Sequence, residues 1–258
     1  MALNEDLPRT LPAGAGLRWV TEAFRLFRKN PFLLGAAFGL FMGALLALTL
    51  IPYVGAGLTD VLTPLVAAGF MAAFRALDQD EALELPHFFS GFLSRPVPLA
   101  MVGALYLACA LAIGKIMELL GFDAKAMIDA VQKNDAVRLA ALLQQGATAL
   151  LVGLTLLTPV LMATWLAPPL VLFGNAPPLQ ALGISMKACW RNWLPLLVYG
   201  VVLIPVLLLA ALIPLLLGTL IAGPVLMGSL YAAYQDIFAV QRAPVLPDHA
   251  DRQRPGDQ

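Results

Sequence analysis

Charge is what this 258-residue chain has least of. Charged residues make up 12% of it, about half the share of a soluble domain. Sixteen Lys and Arg balance sixteen Asp and Glu, so the net charge is zero. That balance excludes the basic face a nucleic-acid-binding domain needs. Glycine and proline, 21 and 20 residues, are too few for a low-complexity disordered chain. Cysteine and histidine are nearly absent: Cys109, Cys189, His87 and His249. Cys109 falls inside an apolar stretch and Cys189 in a basic segment, so no disulfide is expected between them. Neither histidine has a metal-ligand partner at useful spacing, and His87 reads as a lone structural residue. G-x-S-x-G, H-E-x-x-H, the P-loop and the glycine-rich dinucleotide loop are all missing. The expectation is no metal, no cofactor and no enzymatic activity.

Apolar residues are abundant, at 60% of the chain. A bilayer core about 30 Å thick needs roughly 20 apolar residues per helix. Six stretches qualify: 32–51, 59–77, 97–120, 147–173, 196–217 and 221–240. The fourth contains Pro159, Pro168 and Pro169, which predicts a kink or an early end. The Ile213–Pro214 step and Gly218 predict a turn between the last two. An even number of spans puts both termini on one side. That side would hold Arg9, Arg18, Arg25, Arg28, Lys29, Arg75, Arg95, Lys187, Arg191, Arg242, Arg252 and Arg254; the other would hold only Lys115, Lys125, Lys133 and Arg138. Positive charge favours the cytoplasmic side, so a multi-pass inner-membrane protein with both termini cytoplasmic is expected.

The chain also resembles itself. Phe24-x-x-Phe27-x-x-x-Pro31, Phe89-x-x-Phe92-x-x-x-Pro96 and Met186-x-x-Cys189-x-x-x-Trp193 precede the first, third and fifth stretches. Thr63-Pro64-Leu65, Thr158-Pro159-Val160 and Gly223-Pro224-Val225 mark the even ones. The fold expected is an all-α polytopic membrane domain over 17–242. Its six transmembrane helices form three parallel repeats, about 17–80, 81–173 and 176–242, each an interfacial helix followed by a hairpin. A periplasmic insertion over 121–146 reads as two short helices with Asp123 and Asn134 as N-caps and Gly146 as a stop. Tails over 1–16 and 243–258 read as disordered.

Three groups of residues are candidates for function. The interfacial helices place an apolar stripe, Leu17, Val20, Phe24 and Phe27, opposite Arg18, Arg25 and Lys29, and repeat it with Leu179, Leu182, Met186 and Cys189 against Lys187 and Arg191. Arg18, Arg25, Arg28, Lys29, Lys187 and Arg191 are therefore candidate lipid-headgroup contacts, beside the plainer reading as positive-inside anchors. Asp60, Lys115 and Glu118 form a candidate intramembrane polar site, because ionisable groups are costly there; hydration at the interface is the alternative. Tyr231, Tyr234, Gln235 and Asp236 crowd the end of the last stretch. Gly35, Gly39 and Gly43 on the first stretch, and Ala104 and Ala108 on the third, have the spacing of close helix packing. Membrane lipids are the expected partner, with a protein partner or a second copy left open and nucleic acid excluded.

Taken together, Phe24-x-x-Phe27-Arg28-Lys29-Asn30-Pro31, Lys187-Ala188-Cys189-Trp190-Arg191-Asn192-Trp193-Leu194-Pro195 and Pro224-Val225-Leu226 with Tyr231-x-x-Tyr234-x-Asp236 resemble an uncharacterised six-helix inner-membrane family of proteobacteria, a domain of unknown function. More distantly, they are similar to the membrane domain attached to some glycerophosphodiester phosphodiesterases. The resemblance carries over no catalytic residue. It implies location and topology, and points to a lipid or envelope role. A non-enzymatic scaffold, assembly or lipid-interacting component is the expected function; a transporter or channel for a small or lipidic solute is the alternative.

Overall fold

The computed structural model describes residues 8–212 and 217–238, and the described residues are all-helical. In chain order they form α1 (Ala15–Phe27), α2 (Pro31–Thr49), α3 (Gly55–Asp78), α4 (Leu85–Phe88), α5 (Ser90–Ser94), α6 (Pro96–Leu119), α7 (Ala124–Gln132), α8 (Ala136–Gln145), α9 (Ala147–Trp165), α10 (Ala167–Leu172), α11 (Pro178–Arg191), α12 (Trp193–Leu212) and α13 (Thr219–Phe238). The expected turn at Ile213–Pro214, the tail 243–258 and the basic residues Arg242, Arg252 and Arg254 lie outside the described residues.

Among the described residues five helices are long and apolar enough to cross a membrane: α2, α3, α6, α9 with α10, and α12. The helix over the sixth expected stretch, α13, is not one of them. It has 20 residues, but Gln235 and Asp236 near its end lower its hydropathy. The expected break in the fourth stretch falls at Leu166, where α9 ends and Pro168 and Pro169 open α10, since prolines without N–H groups suit a first helical turn.

α3 and α13 form the centre. Phe70, Met71 and Phe74 of α3 and Ala233 and Ile237 of α13 are fully buried, and Tyr231 nearly so. α1 lies across α12 and α13, α4 and α5 lie along α3, and α11 packs on α9 and α10. These short helices gather at one end of the bundle with most of the basic residues, hereafter the basic end. α7 and α8 occupy the far end. Asp123 caps α7, its carboxylate accepting from Ala126 N–H at 2.9 Å. The cap of α8 is Asp135, which accepts from Arg138 N–H at 2.9 Å. Asn134, expected in that role, instead takes a positive φ of 50° in the turn just before, a conformation asparagine tolerates.

Of the expected packing ladders, the alanine one is corrected and the glycine one holds at Gly35 and Gly39. Ala104 and Ala108 are exposed, and the face of α6 that enters the core carries Leu99, Val102 and Gly103. A Cβ on Gly103 would lie 2.6 Å from Val61 Cα and 2.7 Å from the Asp60 carbonyl oxygen. Pro64 has no N–H to bond that carbonyl, so the oxygen it frees packs on the α-carbon of Gly103. Pro224 likewise frees the Leu220 carbonyl, which faces Gly35 across α2 and α13. Gly39 meets the Leu220 side chain, but Gly43 faces open space.

The segment before α1 is ordered from Pro8, against the expected tail over 1–16. Arg9 N–H donates to the Ile237 carbonyl at 3.0 Å, satisfying one of the last carbonyls of α13 that no helical partner reaches. Asn192 is fully buried. Its Oδ1 accepts from Leu11 N–H and its Nδ2 donates to the Arg9 carbonyl, both at 2.9 Å. A short strap is thereby pinned between α11 and α13.

Candidate functional site

The polar side chains of the basic end meet where α1 crosses α3 and α13. α1 presents Ala15, Trp19, Ala23 and Leu26 to the core, a spacing of four, four and three that follows one helix face. Arg18, Glu22 and Arg25 therefore line the seam beside it. Asp236 accepts from the Trp19 indole N–H at 3.1 Å and pairs with Arg18 at 3.2 Å. Asp78, with only 4% of its side chain exposed, accepts from the Tyr231 hydroxyl at 3.2 Å and pairs with Arg25 at 3.4 Å. Arg25 also grips Glu22 through two nitrogens, at 2.6 and 2.9 Å. Those hydrogen bonds raise its guanidinium further above its ordinary value. Lys29 donates to the Leu77 carbonyl at 2.6 Å and to the Asp80 carboxylate, and that bond holds Asp80 below the usual carboxylate range. An open cleft of about 500 Å³ runs between these groups, lined by Arg18, Glu22, Asp78, Gln235 and Asp236 among others.

This seam separates the six basic residues expected to touch headgroups. Arg18, Arg25 and Lys29 are used inside the protein, as ties from α1 to α13 and to the end of α3. Arg28, Lys187 and Arg191 are exposed and make no hydrogen bond or ion pair among the described residues. Each expected apolar stripe is divided between protein and outer surface. Leu17 and Phe24 are half-exposed, while Val20 and Phe27 are buried. On α11 the buried face is Ala181, Ser185, Ala188 and Cys189, and Leu179 is 70% exposed.

Asp60, Lys115 and Glu118 do not come together. Lys115 and Glu118 pair at 2.9 Å, both well exposed. The Asp60 backbone sits against Gly103, twelve residues before Lys115 and so about 18 Å from it along α6.

The buried serines and Asn192 are functional in packing and escaped the sequence reading. Ser185 Oγ donates to the Met162 carbonyl at 2.7 Å and accepts from Leu166 N–H at 3.0 Å, so α11 fills the hydrogen bonds that the α9–α10 break leaves open. Cys189 Sγ donates to the same carbonyl at 3.3 Å. The recurrence 185, 189, 192 of small polar residues on one helix face was the available signal. His87 is structural: its Nδ1 accepts from Glu84 N–H at 3.0 Å, in a reciprocal cap at the start of α4.

Both cysteines are free. Burial pushes the Cys189 thiol up to about 12. In a Cys109→Ala background, a water-soluble maleimide at pH 8 should therefore label the folded protein on the order of a thousandfold more slowly than a free cysteine, because the thiolate is the nucleophile. Unfolding in SDS should restore labelling. Fast labelling of the folded protein would show that α11 does not close over this thiol.

A helical bundle with five membrane-length apolar helices, its polar networks collected at helix ends, defines an integral membrane protein. Over 272 aligned positions the chain is 30% identical to a probable inner membrane protein of Burkholderia thailandensis, covering 93% of this chain and 97% of that one. The chain belongs to that inner-membrane protein family. No family model matches it, and no solved structure does, so the more distant likeness to the membrane domain of glycerophosphodiester phosphodiesterases finds no match.

Proposed function

We propose that this protein is a non-enzymatic, lipid-interacting component of the inner membrane. It crosses the bilayer six times, as three hairpins, with both termini cytoplasmic. The observation that carries the reading is the make-up of the surface at the basic end. Trp190 is 73% and Trp193 58% exposed beside the unpaired Lys187 and Arg191, and half-exposed Phe24 shares a surface cleft with Arg28. Bulky apolar groups alternating with free cations suit the headgroup layer of an anionic leaflet.

Packing supports the three hairpins. α4 and α5 lie on the hairpin before them, α11 on α9, and α1 closes the ring on α12 and α13. α13 as the sixth span is about 30 Å long, with Gln235 and Asp236 at its hydrated end. The filled centre of α3 and α13 favours a scaffold over a solute path.

Native mass spectrometry of the detergent-solubilised protein tests the proposal. Anionic phospholipid should be retained, and Arg28→Gln, Lys187→Gln and Arg191→Gln should each lower its affinity about fivefold, from about 1 kcal/mol per basic residue. Arg25→Gln and Lys29→Gln should instead lower thermal stability. Unchanged lipid affinity in the triple variant, or saturable solute uptake by proteoliposomes, would overturn the reading.

A further inference from the structure

A second cleft, of about 340 Å³, opens at the basic end between the last turns of α3, the two short helices α4 and α5, and the end of α10. That volume is at the small end of ligand pockets. It is lined by Arg75, Gln79, Glu81, His87, Ser90 and Ser94. None of these belongs to the Asp78–Asp236 seam.

Arg75 is the anchor of this cleft. Its guanidinium carbon lies 5.0 Å from the centre of the Phe173 ring, and Phe173 is itself steadied by Tyr234, with ring centres 5.9 Å apart. Stacking of this kind orients the planar group without using its N–H donors. Arg75 makes no hydrogen bond or ion pair among the described residues, although Arg18, Arg25, Lys29 and Arg95 at the same end of the bundle all do. His87 adds a ring nitrogen to the cleft. Its Nδ1 is engaged by the Glu84 backbone at the start of α4, which leaves Nε2 as the ring nitrogen open to a ligand. Ser90 and Ser94, one turn apart on α5, add two hydroxyls. Glu81 places one negative charge in the same cleft.

The outer side of α4 and α5 has the opposite character. Leu85, Phe89 and Leu93 follow a spacing of four and are 61%, 43% and 74% exposed. An aliphatic chain lying along them would bring its polar head to the cleft.

We infer that this cleft binds a zwitterionic phosphodiester headgroup of the phosphoethanolamine class. Arg75, Ser90 and Ser94 take the phosphate and Glu81 takes the ammonium. Charge complementarity selects this class: among the described residues the cleft holds one free cation, Arg75, and one carboxylate, Glu81, and a headgroup bearing only negative charge would meet Glu81 unfavourably. The inference rests on the lipid-interacting reading for its source, because a soluble phosphodiester offers the same chemistry.

The test uses the full chain in mild detergent, titrated separately with phosphatidylethanolamine, phosphatidylglycerol and soluble glycerophosphoethanolamine, with binding followed by native mass spectrometry. Phosphatidylethanolamine should bind more tightly than phosphatidylglycerol. Arg75→Gln should weaken it about tenfold, the cost of one charge-assisted hydrogen-bonded contact. Arg75→Lys, which keeps the charge but loses the fork, should fall between. Glu81→Gln should erase the preference between the two lipids, weakening phosphatidylethanolamine binding and strengthening that of phosphatidylglycerol. If Arg75→Gln lowers the melting temperature, Ser94→Ala and Glu81→Gln on the exposed rim carry the comparison alone. Unchanged phosphatidylethanolamine affinity in these variants would overturn the site. Loss that follows Lys187 and Arg191 instead would overturn it while sparing the broader reading. Equal, Arg75-dependent binding of glycerophosphoethanolamine would uphold the site and overturn the lipid as its source.

Discussion

Gly103→Ala is expected to destabilise the protein by about 1–3 kcal/mol, the usual cost of overpacking a filled contact, whereas Gly43→Leu should leave stability unchanged. The added methyl at residue 103 would meet the Val61 α-carbon and the Asp60 carbonyl at 2.6–2.7 Å. Both are backbone atoms of a helix that also packs on α1, α2 and α13, so the methyl cannot be accommodated by a rotamer change. α6 and α3 would have to separate along their whole contact. At Gly43 nothing lies within 4 Å, and a leucine there projects towards lipid. Melting temperatures of the two variants in detergent decide the matter. Equal values would mean that α3 and α6 do not approach through Gly103. Ala104→Leu and Ala108→Leu serve as further controls on the outward face of α6 and should also be tolerated.

Asn192→Leu is expected to cost up to about twice as much, from two polar groups rather than one contact, and to release the strap before α1. Leucine is close in size, so little packing is lost. The Leu11 N–H and the Arg9 carbonyl lose their side-chain partners at a fully buried residue. Each polar group left unsatisfied costs about 1–3 kcal/mol. Limited trypsin digestion reads the release directly: cleavage after Arg9 should be slow in the wild type and fast in the variant. Asn192→Asp keeps the acceptor for Leu11 but loses both donors, and should fall between. Equal cleavage rates in all three proteins would show that Asn192 does not hold the strap.

Both predictions concern contacts that pattern reading placed poorly, and the reason is common to them. Hydropathy reports that a residue avoids water; it does not report whether its neighbour is protein or lipid. Leu17, Val20, Phe24 and Phe27 form one apolar stripe of α1 by spacing, yet Val20 and Phe27 are buried in protein while Leu17 and Phe24 are half-exposed. The face that packs on protein is the one with Ala15, Trp19 and Ala23, small residues and one aromatic that fit against α12 and α13. The alanine ladder of α6 failed in the same way: its spacing is right for close packing, but no helix lies opposite. Gly103, one residue away, is the position where a carbonyl freed by proline needs room.

Charge was legible in part. A run of basic residues before the first apolar stretch marks one end of the bundle, because water and headgroups are the only cheap surroundings for it. Which of those charges are spent internally depends on Asp78, Asp80 and Asp236, which lie 53, 51 and 218 residues beyond their partners. Sequence spacing on α1 alone could not reveal that Arg18, Arg25 and Lys29 are tied down while Arg28 stays free. Arg75 carried no signal either. Its significance comes from the Phe173 ring beneath it and from serines on another helix.

By itself the sequence determined that this is a helical membrane chain with apolar segments of bilayer length, where the fourth of them breaks and where one short helix is capped. These are local properties of length, hydropathy and proline chemistry, and they need no neighbour. Tertiary structure alone decided which helix faces meet, which cations remain free, that residues 8–14 form a strap, and that Asp60 stays apart from Lys115 and Glu118. Those outcomes turn on pairs of residues distant in sequence, and in a chain that is apolar on nearly every face only the packing distinguishes one face from another.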